Sequence, residues 1–450
     1  MLSPKWIHFG DLEMLFASLS SAKSVFALTS FPIQLALVGA VLVLSIVVDR
    51  YALKIGIPGA LALFGIGVAL QPTSSLGYEH KFFEDLHVIA LCLLLFYSGV
   101  KLCRRYFHRK DFLVSSLLLS IVGIFIFVAI GSLVMFAALS LIYGEFRSSG
   151  QPLLVAMALA YCMAPQDWGA FTFVVKRVER FSDRILGVLE FETAVSAAMT
   201  LVTGEVLFAF FSKRAADEMA FKVVDVFFGG IFLGLCIGVV LGYALAVVIR
   251  RFAVERSQTI DLAIGFVLIG YGLNTLLGQG GLICSLVMGF VVSVLLSHQE
   301  TEDEKEMLSI QLESINIASE SLIFFMAGLA VDLSVGVLQT LLAALVLLMI
   351  VWIIRPLTVG LFFRRNPFLS QREFQFLSLW APKGAISMAL AITIPDLIEE
   401  SGMRFETVIN PVSESFIVDA VCFAVVFSML IKSLILPVLH KRLIESVPAS

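Results

Sequence analysis

The chain is 450 residues long, 59% hydrophobic and only 15% charged, with a formal net charge of -4. Soluble domains are nearer half apolar and a quarter charged, and here the excess is gathered into uninterrupted blocks of bilayer length. This excludes a soluble globular fold, and a near-neutral chain with no basic patch excludes a nucleic-acid partner.

Residues 1–29 read as an N-terminal segment whose stretch 10–28 is amphipathic and suited to the membrane interface. From 30 to 440 the hydropathy pattern predicts one all-α polytopic membrane domain of about thirteen spans. They run over 30–49, 56–72, 86–101, 112–143, 152–175, 185–212, 223–249, 259–277, 280–297, 319–334, 338–363, 373–397 and 412–438, with a short tail at 441–450. The loops after the odd-numbered spans, with the C-terminal tail, hold 20 lysines and arginines, and the opposite loops hold 8. Positive charge is retained inside, so the N-terminus is expected outside and the C-terminus in the cytoplasm. The acidic run from His298 to Glu306 reads as a solvated cytoplasmic linker. The six cysteines (Cys92, Cys103, Cys162, Cys236, Cys284 and Cys422) lie within or at the ends of apolar blocks. They are expected to be free thiols, because disulfides belong in oxidising aqueous loops. No Cys/His spacing suggests a structural metal site, and no cofactor is expected.

Two spans are interrupted alike. The fifth contains Ala164-Pro165-Gln166-Asp167-Trp168-Gly169, and the twelfth contains Ala381-Pro382-Lys383-Gly384. Each places a proline, a charge and a glycine in the middle of an apolar helix. Proline removes a backbone donor and clashes with the preceding turn. Spans 1–6 and 8–13 then form two six-helix halves in inverted orientation, with the breaks at matched positions near the midplane. The ends of broken helices carry partial charges. Asp167 is expected to offset the positive ends and Lys383 the negative ones.

The sixth span carries Glu190, Glu192, Thr193 and Ser196. Glu192 and Ser196 are four apart and share a helical face with Thr193 beside them, whereas Glu190 points elsewhere. A carboxylate inside a membrane is a functional candidate by default, and carboxylate and hydroxyl oxygens suit a hard monovalent cation. Because such a group accepts either a proton or a cation, it offers a basis for exchange. For Glu192 a buried ion pair with Arg355 of the eleventh span is favoured over direct coordination. Asp167, Glu192, Thr193 and Ser196 are therefore the candidate ion and proton ligands, with Asp167 and Glu192 the candidate carboxylates for the cation. Glu205, Asp225, Asp261, Glu320, Asp332 and Asp419 read as structural, capping or interfacial charges.

In this order the residues resemble the sodium/proton exchanger branch of the monovalent cation/proton antiporters. Lys54-Ile55-Gly56-Ile57-Pro58 looks like the start of the family's second helix. Leu94-Leu95-Phe96-Tyr97-Ser98-Gly99-Val100 is similar to its "LLFxxGL" helix, and Ala164-Pro165-Gln166-Asp167 to its "SPTDP" break. The glycine-rich run from Asn274 to Gly289, Phe324-Phe325-Met326-Ala327-Gly328-Leu329, Arg355-Pro356-Leu357-Thr358-Val359 and Leu379-Trp380-Ala381-Pro382-Lys383-Gly384-Ala385 match later family segments. The resemblance implies a homodimer with a dimerisation part and a moving core. It implies alternating access, exchange of sodium, lithium or potassium for protons, and a role in pH homeostasis. It also implies that Glu192 pairs with Arg355.

Two segments depart from the pattern. The fifth-span break has Gln166 for the usual threonine and Trp168 for the usual proline. Where the family reads "ExESxxND", this chain reads Glu190-Phe191-Glu192-Thr193-Ala194-Val195-Ser196-Ala197, so the usual Asn-Asp pair is Ser196-Ala197. Asp167 and Glu192 take over the carrier role, the substrate or coupling differs, or transport is lost and a membrane sensor or regulatory homologue remains. Retained cation/proton exchange in a bacterial inner membrane is the favoured expectation. No enzyme motif is evident, and a carrier of organic anions would be expected to hold more mid-membrane cations.

Overall fold

A computed structural model describes residues 31–55, 58–74, 80–102, 109–143, 152–167, 169, 182–209, 224, 226–252, 256–277, 281–296, 302–333, 336–400 and 415–443. The expected interfacial stretch 10–28, Cys103, Trp168, Asp225 and the second half of the fifth span lie outside the described residues. Those described form fourteen α-helices, one π-helical turn and their connections, without a strand. The helices are α1 (Phe31–Ile55), α2 (Gly59–Ser74), α3 (His80–Lys101), α4 (Lys110–Ile142), α5 (Pro152–Cys162) and α6 (Asp183–Ala209). A π-turn (Val226–Phe232) leads into α7 (Leu233–Phe252), followed by α8 (Arg256–Leu277), α9 (Gly281–Leu296) and α10 (Glu302–Ala330). The chain continues through α11 (Val337–Phe363), α12 (Gln371–Leu379), α13 (Ala385–Glu400) and α14 (Phe416–Leu443).

Seven of the helical stretches are long and apolar enough to cross a membrane, and four shorter apolar helices join them. Their outward faces carry large apolar side chains, such as Ile46, Leu133, Val240 and Ile353, each more than 60% exposed. Water would not tolerate such a continuous apolar exterior, but hydrocarbon satisfies it. The protein is an integral multi-pass membrane protein. Two boundaries correct the sequence expectation. The tenth helix begins at Glu302, so the acidic run continues as helix through its second half. Its apolar section, Leu312–Ala330, therefore places Glu320 in mid-span, where the expected span of 319–334 had it at the end.

The packing carries the internal symmetry. The helix pair α2/α10 has its counterpart in α3/α9, and α4/α6 has its counterpart in α11/α14. Helix α4 packs directly on its own counterpart α11. Glycines set the first of these crossings. A Cβ on Gly67 would strike the Phe325 carbonyl and the Gly328 backbone, while one on Gly328 would strike the Phe64 carbonyl. In the mirrored crossing, Gly99 meets Leu286 and Phe290, and Gly289 meets Phe96 and Val100. Small residues let helix backbones approach closely inside a bilayer. Three of these glycines, Gly99, Gly289 and Gly328, lie in the family-like motifs, whose resemblance thus reflects packing at these positions.

Gly99→Ala or Gly289→Ala must push two helix backbones away from each other. Each should cost about 1–3 kcal/mol, the usual range for overpacking, and lower the thermal midpoint of the detergent-purified protein. Gly272→Ala has nothing within 4 Å of the new methyl and should leave the midpoint unchanged or raise it.

Candidate functional site

The two interruptions meet at the centre of the protein. Helix α5 tightens into a final turn, with the Met163 and Ala164 amides donating to Ala160 and Tyr161. Helix α12 ends at Leu379, and the chain runs extended through Trp380–Gly384 before α13 begins. The breaks bind each other. The Asp167 amide donates to the Pro382 carbonyl at 3.1 Å, and Lys383 Nζ donates to the Pro165 carbonyl at 2.7 Å. Each proline carbonyl is thus satisfied by the residue that carries the charge in the opposite break.

Asp167 is buried, and both of its oxygens are engaged. Oδ1 accepts from the Gly169 amide at 2.8 Å, and Oδ2 accepts from the Ile386 amide in the first turn of α13 at 2.9 Å. The carboxylate sits at the positive end of α13, where an anion is stabilised. Lys383 is fully buried, and its ammonium also donates to the Ala164 carbonyl at 3.1 Å. It therefore occupies the negative end of α5, with the Phe127 ring of α4 centred 5.2 Å away. An unsatisfied backbone group in hydrocarbon costs several kcal/mol, so a cation holding two carbonyls offsets its own burial.

Glu192 and Arg355 form a bidentate buried ion pair, with Nη2 to Oε2 at 2.8 Å and Nη1 bonded to Oε1. Arg355 Nε also donates to the Leu377 and Trp380 carbonyls at the end of α12, at 3.2 and 2.9 Å. Pro356 follows inside α11 and cannot donate to the carbonyl of the preceding turn. The expected pair is therefore present, and it ties α6, α11 and α12 together. Ser196 Oγ accepts from the Gln166 amide at 3.3 Å, whereas the Thr193 hydroxyl is spent on the Glu190 carbonyl of its own helix at 3.1 Å. A small cavity beside these groups is lined in part by Gln166, Glu192, Ser196, Arg355 and Thr358 and for the rest by apolar residues such as Leu119, Phe127 and Val351. Neither Asp167 nor Thr193 lines it.

The break glycines act otherwise than as conformational hinges. Among the described residues only Gly336 has a positive φ. Gly169 is required for space, because a Cβ there would lie 2.5–2.7 Å from the Glu320 carboxylate. Glu320 thus belongs at the site's edge. Gly384 lets its carbonyl accept the Met388 amide at 3.3 Å as α13 starts.

Sequence reasoning missed Lys432. This α14 residue is 7% exposed, donates from Nζ to the Ala381 carbonyl and bonds Ser428 Oγ at 2.7 Å. A count would have found it. The chain has 31 lysines and arginines, and the 28 assigned to loops leave Arg355, Lys383 and Lys432. The two glutamates, two positions apart, differ as expected, since Glu192 is buried and Glu190 is half-buried. Asp419 is buried and accepts the Asp332 amide at 3.0 Å, joining the start of α14 to the segment after α10, while Asp261 is exposed. The cysteines Cys92, Cys162, Cys236, Cys284 and Cys422 are free thiols.

Removing one partner of a buried pair strands the other. Arg355→Met should destabilise the protein by about 3–5 kcal/mol. Adding Glu192→Gln to it should recover much of that loss, as read from thermal midpoints in detergent. A double variant no better than Arg355→Met alone would show that the arginine acts through the α12 carbonyls and not through the pair.

The chain superposes on two structures of the sodium proton antiporter MjNhaP1 from Methanocaldococcus jannaschii. One is the structure at pH 8, with a TM-score of 0.72, 18% identity, and 91% of this chain and 98% of that chain covered. The other is an electron-microscopy structure, with a TM-score of 0.74 and 18% identity over 94% and 100% of the two chains. At that identity the likeness concerns the fold. No curated protein matches the chain by sequence. The family profile described as "Sodium/hydrogen exchanger, transmembrane" matches residues 24–442, and the chain belongs to the sodium/hydrogen exchanger family.

Proposed function

We propose that the chain exchanges a monovalent cation for protons by alternating access, with Asp167 supplying the charge that draws the cation in. The observation that carries this is the placement of Asp167, a buried carboxylate held between two helix breaks beside a polar cavity. The Gly169 and Ile386 amides hold its carboxylate in place, and a carboxylate can accept more than one donor or cation at each oxygen. Gln166 and Ser196 add neutral oxygens at the cavity wall. A proton in the same pocket cancels the negative potential and excludes the cation, which couples the two fluxes.

Glu192 acts in this scheme as a strut, since Arg355 holds both of its oxygens. Ser196, and not Thr193, is the hydroxyl that serves the cation. Arg355 and Lys383 balance helix ends. The substrate class is sodium, lithium or potassium, the assembly a homodimer with a moving core, and the setting a bacterial inner membrane with the C-terminus in the cytoplasm. A sensor without transport is the weaker reading, because the breaks, the charges that cap them and the cavity all persist despite the loss of the Asn-Asp pair.

Proteoliposomes with an acidic interior test the exchange. Adding sodium, lithium or potassium outside should release internal protons, and Asp167→Asn should abolish the release while the protein stays folded. No cation-dependent proton flux between about pH 5 and 9, a window bracketing the usual titration range of buried carboxylates, would contradict it.

A further inference from the structure

The described residues bury three cations, Arg355, Lys383 and Lys432, around two buried site carboxylates, Asp167 and Glu192, with the half-buried Glu320 at the site's edge. Charges at the centre of a membrane helix are costly and normally have counter-charges. Arg355 has Glu192. Lys383 and Asp167 face each other across the paired breaks, each bonded to a proline carbonyl of the other's break. Lys432 differs, because its hydrogen-bond partners are a carbonyl and a hydroxyl.

We propose that Lys432 is the proton-exchanging group of the transport cycle, passing its ammonium proton to cavity water when a cation loads beside it. This rests on the exchange reading above and assigns its proton carrier. Loading a cation would bring a fourth positive charge into the centre. Loss of the Lys432 proton restores the total, with one cation in for one proton out. The hydrogen bonds allow this step. An ammonium has three donors and uses two here, and a neutral amine still has two for the same carbonyl and hydroxyl. The proton therefore leaves without breaking the cap on α12. Ala381, whose carbonyl holds Lys432, also lines the cavity, so the amine stands one backbone group from the loading space.

The internal symmetry places this lysine opposite the altered segment. Helix α14 is the counterpart of α6 in the mirrored packing. It is α6 that carries Ala197 where the resemblance expects a carrier carboxylate, and α14 brings a titratable group of the opposite type. Among the described side chains, the other ionisable groups on elements packed against α14 are Arg355 of α11, Lys383 of the break, Glu313 and Glu320 of α10 with Asp332 just after it, Arg372 and Glu373 of α12, and Tyr161 and Cys162 of α5. Asp419, on α14 itself, lies thirteen residues before Lys432, about 20 Å along the helix at 1.5 Å per residue.

The test uses the full chain in liposomes and two assays. Counterflow of radioactive sodium against sodium needs the cation site but no proton transfer. Sodium-driven proton flux needs both. Lys432→Met removes the proton and the cap, and Lys432→Arg keeps a donor at the cap but cannot give up its proton. Both variants should retain sodium counterflow and lose sodium-driven proton flux. Retained proton flux in Lys432→Arg would overturn the proposal and leave Lys432 as a positioning residue for α12. Loss of counterflow together with proton flux in both variants would overturn it too, since the lysine would then serve the cation site or the fold. A wild-type protein without sodium, lithium or potassium exchange would instead remove the exchange reading itself, and that outcome is distinct from the other two.

Discussion

A helix broken inside a bilayer exposes backbone groups that neither water nor lipid can satisfy, and the rest of this structure follows from meeting that demand. Two breaks face each other, and four charged side chains close their ends. Asp167 takes amides at the start of α13, and Lys383 takes carbonyls past the end of α5. Arg355 and Lys432 share the carbonyls past the end of α12. The ion pair with Glu192 then fixes Arg355 to α6. Charges that would be prohibitively costly alone become the fasteners of the core, and the polar cavity is the space they leave among themselves.

The same demand explains why so much was legible in the sequence. Pro165 and Pro382, each beside a charge in an otherwise apolar run, mark a helix end far from water, and no soluble fold explains that pattern. The Glu192–Arg355 pair was also legible, because each is a mid-span charge whose obvious partner is the other. Glu320 was less so. The polar first turns of α10 made the span look shorter than it is, which moved Glu320 to an apparent end. Lys432 lies within a few turns of the basic end of α14, where a lysine ordinarily extends its stem to the interface. Only its hydrogen bond to Ala381 reveals that it points inward. Gly169 was found for the wrong reason, since its role is to admit the Glu320 carboxylate, and backbone freedom is not used there.

Motif resemblance and chemistry separate cleanly in this chain. Gly99, Gly289 and Gly328 hold helices in contact, so the segments around them preserve the family's fold. The sixth-span departure, Ser196-Ala197, lies beside the cavity and alters its charge without disturbing the breaks. Ala197 is buried against the core without a polar atom to offer. A changed carrier within an unchanged scaffold is the physical content of that departure, and it makes the proton-holding group a question about local charge balance.

The central claim is that proton and cation exclude one another from one buried cluster of charges. The most direct measurement is the KM for the transported cation across a range of pH in proteoliposomes. One-for-one linkage predicts that KM rises about tenfold for each unit of pH on the acid side, with the maximal rate preserved at saturating cation. A KM independent of pH, with only the maximal rate falling, would contradict it, because proton and cation would then occupy the protein without competing.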